Sequence, residues 1–563
     1  MHELETAIYI VETVGKVAAE NRLTSFNSVT VRLKEVSVII PDSLLDFWKY
    51  ARRRSEQLKE TELKVEPKNS YRFFMLAFFA DFSYYNILCF KIEKRGTNME
   101  KFFHLKERGT TVRTEIVAGF TTFMAMSYIL MVNAGMFSEL GTVSYNAIYI
   151  ATALSAIVGT VLMALMANLP LALASGMGLN AYFVYTVCFG LGFTYANALV
   201  LVMFDGLIFI VLTLTGLRKK IFEAIPKSVR TAIPAGIGLF IAFLGMQNAG
   251  IIVDNGATLV GLTSLNLFSG NVTWGSIMPV IVTIASVLAI AVMNQRKVKG
   301  SVLFGILGGT AAYYLLGFTI PGFYDGFGAG FSFNPFTAFG DFGREAFGKV
   351  FTEGFNFTPY IEANGMGAFI FAILSTALAF CMVDMFDTLG TLYGACSRGN
   401  LLEENGEVPN INQAMMSDAI ATTVGAVCGT STVTTFVESS AGVGEGGRTG
   451  LTALSTAFFF FVAMFLAPVA QLIPSCATAA ALIYVGVLMM NCVRDIEWTS
   501  AEISVPAFLT MAMMPFTYSI SYGIGFGLIS FTIISIFTGK AKTVKPATWI
   551  IGLLFGLTFF LTH

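Results

Sequence analysis

The sequence predicts an all-α polytopic membrane protein preceded by a small α/β fragment. Three observations predict it. Of 563 residues, 55% are hydrophobic and only 13% charged, with a mean hydropathy of +0.70, more apolar surface than a water-soluble chain of this length could hide. From about Thr114 onward, apolar stretches of roughly 17 to 25 residues recur, the length that crosses hydrocarbon as a helix. Phe occurs 53 times and Gly 54 times, which suits close helix packing and interrupted helices in lipid.

The first 67 residues read differently. Residues 6–19 carry a helical pattern, Val29, Val31 and Leu33 alternate as in a strand, 43–59 reads as a second helix and 63–65 as a short strand. Residues 68–98 form an aromatic junction with no evident period, and the membrane domain occupies 99–563.

Within that domain the apolar stretches fall near 115–135, 147–167, 170–189, 193–216, 230–248, 275–294, 300–318, 366–393, 412–428, 430–446, 449–471, 475–492, 503–519, 520–538 and 546–562. The basic connections at Arg218–Lys220 with Lys227 and Arg230, at Arg296–Lys299, at Arg398, at Arg494 and at Lys540–Lys545 share one side if the first span leaves the cytoplasm. That places the N-terminus inside, in a multi-pass protein of the cell membrane. A Gly- and Phe-rich outer loop at 319–365 separates two sets of about seven spans. In each set the third member is interrupted: PLALASGMGLN from Pro170 to Asn180, and GTSTVTTFVESSAGVGEGG from Gly429 to Gly447. Such interruptions are costly against lipid and point to a midplane site where half-helix ends meet a ligand.

Composition and missing motifs exclude several classes. A formal net charge of -1 argues against nucleic acid as a partner, since such binding needs a basic face. Cys89, Cys188, Cys381, Cys396, Cys428, Cys476 and Cys492 contain no C-x-x-C pair, so neither a zinc ribbon nor a disulfide framework is expected. His2, His104 and His563 lie outside the apolar spans, which leaves carboxylates to carry any intramembrane proton. There is no phosphate-binding loop and no hydrolase elbow. An enzyme is therefore not expected.

The eighth span places Asp384 and Asp387 three residues apart on one helix face. Glu438 falls at the broken tenth span. Acids buried in a membrane must be neutralised, paired or hydrated, so they are candidates for ligand binding or proton transfer, against the alternative of a structural hydrogen bond to a neighbouring helix. Asn180 suits the edge of a planar heterocycle, and equally suits a helix cap after Gly178. Glu445 and Arg448 are expected to form a local charge pair, and Asp205 to be structural.

These stretches together resemble the nucleobase:cation symporter-2 family, in its azaguanine-permease-like branch of adenine, guanine and hypoxanthine permeases. The likeness runs from Met99 to about Leu561 and rests on MEKFFHLKERGTTVRTEIVAGFTTFMAMSYI, LALASGMGLNAYFVYTV, VDMFDTLGTLYG and GTSTVTTFVESSAGVGEGGRTGLTA. It implies about fourteen transmembrane helices in a 7+7 inverted repeat, divided into core and gate domains. It further implies a proton-coupled importer of purine bases, with Asp384 and Glu438 accepting base N–H groups, Asn180 completing the pocket and Asp387 tuning or relaying the proton. No cofactor is implied beyond the proton as coupling ion. The partners implied are the purine base and the lipid bilayer, with a homodimer left open.

The head is similar to the hydrogenase nickel-insertion accessory family, on MHEL, IVETVGKVAAEN and SVTVRLKEVSVIIPDSLLDFWKYARRRSE. That family's nickel site implies His2 and Glu3 as ligands. Its zinc ribbon requires C-x-x-C pairs that this chain lacks, so nickel delivery is not expected to operate, and the junction reads as two genes joined by a deletion or frame error. Two other functions are compatible with the pattern: a membrane-tethered nickel-accessory protein, and a transporter of the same fold carrying a different anion, which acidic rather than basic site residues disfavour.

Overall fold

The protein is described by a computed structural model covering residues 102–563 apart from 217–224, 268–271, 321–333, 404–406, 542–543 and 562–563. Before residue 102 it covers 11–12, 26–33, 48, 62–67 and 89–94. The chain divides into two units, Met1–His104 and Leu105–His563.

In the first unit, β1 (Phe26–Leu33), β2 (Glu62–Pro67) and β3 (Cys89–Lys94) form one sheet in the order β2-β1-β3. β1 runs parallel to β2, with Val29 opposite Leu63, and antiparallel to β3, with Val29 opposite Ile92. β3 corrects the reading of 68–98 as a junction without period: Phe90 and Ile92 alternate with Lys91 and Glu93, a period of two that the aromatic run before it obscures. His2, Glu3 and most of the two expected helices lie outside the described residues.

The second unit is built of helices. α1 (Val112–Met126) and α2 (Tyr128–Ser138) follow one another as a single span, and α3 (Tyr145–Leu162) runs on through a π-helical turn, Met163–Ala167. Local chemistry starts these helices: Thr111 and Ser144 accept hydrogen bonds from the N–H groups of Thr114 and Ala147, relieving orphan donors of the first turn. The third segment is β4 (Leu173–Ser175), α4 (Met177–Ala181) and a π-helix, Tyr182–Gly190. α5 (Tyr195–Leu214), α6 (Lys227–Asn248), α7 (Trp274–Gln295) and α8 (Ser301–Thr319) complete the first set. A small hairpin, β5 (Ile252–Asn255) and β6 (Leu259–Leu262), lies between α6 and α7.

The segment expected to be an outer loop contains α9 (Pro335–Glu345) and α10 (Lys349–Thr352). Asn334 caps α9, accepting from the Phe336 N–H, and Pro335 occupies its first turn; this start signal was hidden among the loop's Phe and Gly residues. The second set follows. α11 (Thr358–Arg398) is helical except at Gly365, whose φ of 86° breaks it. α12 (Ile411–Cys428) ends at Gly429, φ 94°, a conformation that glycine adopts without penalty. After it come β7 (Val433–Thr435), α13 (Ser439–Gly444), α14 (Gly450–Met464) and α15 (Ala467–Ala470). α16 (Ser475–Met489), α17 (Ala501–Phe516), α18 (Ile520–Phe537) and α19 (Pro546–Leu561) close the chain.

Among the described residues, nine helices are long and apolar enough to cross a membrane. α7 and α8 turn large side chains outward, among them Leu288, Val292, Leu315 and Phe318, which hydrocarbon solvates where water would not.

Candidate binding site

The site is organised by a two-stranded ribbon buried in the helical unit. β4 and β7 pair antiparallel, Leu173 opposite Thr435, Ala174 opposite Thr434 and Ser175 opposite Val433, and all six residues are buried. Bonds from the Gly176 N–H to the Thr432 carbonyl and from the Phe436 N–H to the Ala172 carbonyl, each 3.0 Å, extend the ladder at both ends. Irregular backbone at this depth must find partners inside the protein. The outer edges find them in two threonines. Thr160 Oγ1, on α3, donates to the Leu173 carbonyl and accepts from its N–H, both at 3.0 Å. Thr422 Oγ1, on α12, treats Val433 in the same way at 3.1 and 3.3 Å.

The carboxylates gather on the side of β7. Glu438 is the residue before α13, and its Oε1 accepts a 2.6 Å hydrogen bond from the Tyr128 hydroxyl of α2. Asp387 lies within electrostatic reach of Glu438 and of Asp418. It also flanks the joint between β4 and α4, since a methyl group built on Gly176 would lie 3.7 Å from Asp387 Oδ2. That same methyl would lie 2.8 Å from Thr434 Cγ2, so only glycine lets the two strands approach here. Asp384 is fully buried one turn earlier on α11.

Asn180 is fully buried on α4. Its Oδ1 accepts from Ser175 Oγ at 2.7 Å and its Nδ2 donates to the Ser175 carbonyl at 3.3 Å. Ser175 Oγ in turn meets Thr430 Oγ1 at 2.9 Å, to which Asn133 Nδ2 donates at 3.0 Å. Asn180 thus stands at one end of a polar chain joining the two halves, with a second Nδ2 hydrogen left for another acceptor.

The structure places Asp387 within electrostatic reach of Glu438, with Asp384 buried one turn earlier on the same helix. It adds two residues that sequence reasoning missed. Asp418, fully buried on α12, accepts from Thr388 Oγ1 at 2.8 and 2.9 Å, and Thr388 Oγ1 also meets Thr434 Oγ1 at 2.8 Å. Since each hydroxyl has one hydrogen, an ionised Asp418 orients this chain with Thr434 donating to Thr388. Tyr128 is the other. Asp418 falls inside the expected span 412–428 but in its polar opening, and nothing in SYILMV distinguishes Tyr128 from its apolar neighbours.

The expected pairing of Glu445 with Arg448 is not what forms. Glu445 pairs with Lys299 at 2.5 Å, and Arg448 donates to the carbonyls of Val443 and Gly447 at 2.7 and 2.8 Å. Arginine's several donors let one side chain hold two carbonyls at and just beyond the end of α13. Glu115 has a structural task nearby: its carboxylate accepts from the N–H groups of Arg448, Thr449 and Thr452 at the start of α14. Asp205, fully buried on α5, precedes Gly206, which packs against Ala419 and Thr423 of α12.

The Permease family matches residues 113–526. The guanine/hypoxanthine permease PbuO of Bacillus subtilis (strain 168) is 39% identical over 471 residues, covering 82% of this chain and 100% of its own. The adenine permease AdeP of Escherichia coli (strain K12) is 36% identical over 457 residues, 81% of this chain and 95% of its own. Among solved structures, the transmembrane domain of the cyanobacterial bicarbonate transporter BicA superposes with a TM-score of 0.52 at 18% identity, over 73% of this chain and 97% of that one. Murine Slc26a9 in its inward-facing state gives 0.51 at 13% identity, over 76% and 68%; both are likenesses of fold. None of these similarities supports the nickel-accessory likeness of the head. On its family match and its full-length relatives, this multi-pass membrane protein belongs to the Permease family, the nucleobase:cation symporter-2 group, and is a transporter rather than an enzyme.

Proposed function

We propose that the protein imports purine nucleobases, hypoxanthine, guanine or adenine, by proton symport. The observation that carries the reading is the gathering of acids beside the β4–β7 crossing: Asp387 Oδ2 lies against the Gly176 joint, within electrostatic reach of Glu438, which follows β7. Carboxylate acceptors suit the N–H edges of a neutral heterocycle. The permeases for guanine, hypoxanthine and adenine to which the chain is similar supply the substrate class. In this reading Asp384 and Glu438 accept base N–H groups, the remaining Nδ2 hydrogen of Asn180 meets a ring nitrogen or carbonyl, and Asp387 holds the coupling proton. A carboxyl neutralised by a proton or by the base crosses more easily than a bare carboxylate, which ties the inward movement of one to the other.

The repetition of a broken third element supports a 7+7 inverted repeat of about fourteen helices, with a core carrying the ribbon and a gate formed by the remaining spans. The basic connections support a cytoplasmic N-terminus. Nickel handling by His2 and Glu3 forms no part of this function.

The test is uptake of radiolabelled hypoxanthine into a bacterial host lacking its own purine permeases. Uptake that collapses with a protonophore and is competed by guanine or adenine but not uracil is the expected result. Membrane-inserted protein that takes up no purine refutes the proposal.

A further inference from the structure

Tyr128 and Glu438 come from opposite halves of the chain, 310 residues apart, and meet through one hydrogen bond of 2.6 Å. The phenol ring is 1% exposed, and the single hydroxyl hydrogen is spent on Glu438 Oε1. A carboxyl group has two oxygens, and Oε1 can accept this bond whether the group is ionised or carries its proton on Oε2. The chain on either side of Glu438 is held independently: the Phe436 N–H bonds to the Ala172 carbonyl, and Ser439 Oγ accepts from the Ala172 N–H at 3.0 Å. With backbone fixed by β4 and one oxygen fixed by Tyr128, little rotation is left to the carboxyl plane.

We infer that Tyr128 is a positioning residue that engages Oε1 of Glu438 and so orients the carboxyl plane, presenting Oε2 as a directed acceptor to the ring N–H of the transported base. The inference rests on the purine-transport reading above. Its chemical consequence concerns specificity. Guanine offers two adjacent donors, a ring N–H and an exocyclic amine, that could engage both oxygens of a free carboxylate, whereas hypoxanthine offers one donor on that edge. By taking one lone pair of Oε1 and fixing the carboxyl plane, Tyr128 narrows the geometry in which guanine could use both oxygens and keeps the two bases closer in affinity.

Tyr128→Phe tests this, because it keeps the ring and removes only the hydroxyl. Removing a hydrogen bond to a charged group corresponds to roughly a ten-fold change in binding. The expected result is a hypoxanthine KM raised about ten-fold with the maximal rate within about two-fold of wild type, together with a competition order shifted towards guanine. In a Glu438→Asp background, where the carboxyl is drawn back from the phenol, the same change should add less than about two-fold.

An unchanged KM in Tyr128→Phe overturns the inference. So does a fall in maximal rate at unchanged KM, which loosened packing between α2 and α13 would produce. A further ten-fold loss in the Glu438→Asp background would place the action of Tyr128 elsewhere. Glu438→Gln separates the two levels: normal uptake by that variant brings down the site reading itself, whereas abolished uptake with a wild-type-like Tyr128→Phe brings down only the role given to the tyrosine.

Discussion

The two interrupted segments have the same scaffold and unlike chemistry. Each is a three-residue strand leading into a short helix, and in each the first strand residue is held through both backbone groups by a threonine of the preceding helix. At the crossing, however, the first half supplies glycine clearance and a neutral amide, Gly176 and Asn180, while the second half supplies Asp384, Asp387, Asp418 and Glu438. The two segments share what the backbone needs in hydrocarbon and differ in charge. In the proposed function, a base bound between them receives acceptors from one wall and room from the other.

That comparison can be broken or sharpened by substitution. If charge belongs to the second half alone, Asp384→Asn and Glu438→Gln should each abolish hypoxanthine accumulation while the protein stays in the membrane, measured as uptake against immunodetected abundance. Normal uptake by either removes its residue from the site. If the first half contributes clearance, Gly176→Ala should reduce uptake by about ten-fold or more, because the new methyl meets Thr434 Cγ2 at 2.8 Å in a packed interior with little room to yield. Gly308→Ala, with nothing within 4 Å of the added carbon, is the matched control and should transport normally.

If the scaffold is equivalent in both halves, Thr160→Val and Thr422→Val should cost similar stability, about 1–3 kcal/mol each, since both leave a buried strand N–H and carbonyl without their hydroxyl partner. Thermal unfolding in detergent would reveal it, and a loss confined to one variant would show that the scaffold is asymmetric too. The smallest effect is expected at the periphery. Lys299→Ala removes an ion pair to Glu445 in which the lysine side chain is 52% exposed, and should alter stability by less than about 1 kcal/mol.

Much of this was legible in the sequence because lipid imposes strict rules. Long apolar runs had to be spans, and the Gly, Thr and Ser clusters at 170–180 and 429–447 had to be interruptions. Asp384, Asp387 and Glu438 were conspicuous because an acid in hydrocarbon is expensive. What the sequence withheld were partnerships across long separations. A strand of three residues is too short to display a period, so the pairing of Leu173 with Thr435 left no local trace. Asp418 lies in INQAMMSD, a polar opening that resembles the wet end of a helix, and only the fold shows it enclosed. Glu445 stood near Arg448 in sequence but met Lys299, 146 residues away, because proximity along a chain does not decide which cation has a free geometry to offer.

The ribbon has a consequence for how the protein is made. Ser175 meets Thr430, its hydrogen-bond partner across the crossing, only after another 255 residues have been synthesised. At about 5–20 residues per second, that interval is on the order of ten seconds to a minute. Throughout it, the inner edge of β4 has no β7 to bond with, although Thr160 already covers the outer edge. The nascent first half must therefore wait with a raw strand edge at membrane depth, sheltered by the translocation machinery, by a transient partner or by residual water. Variants that prolong this wait should be lost to quality control during synthesis, before any defect in transport can be measured.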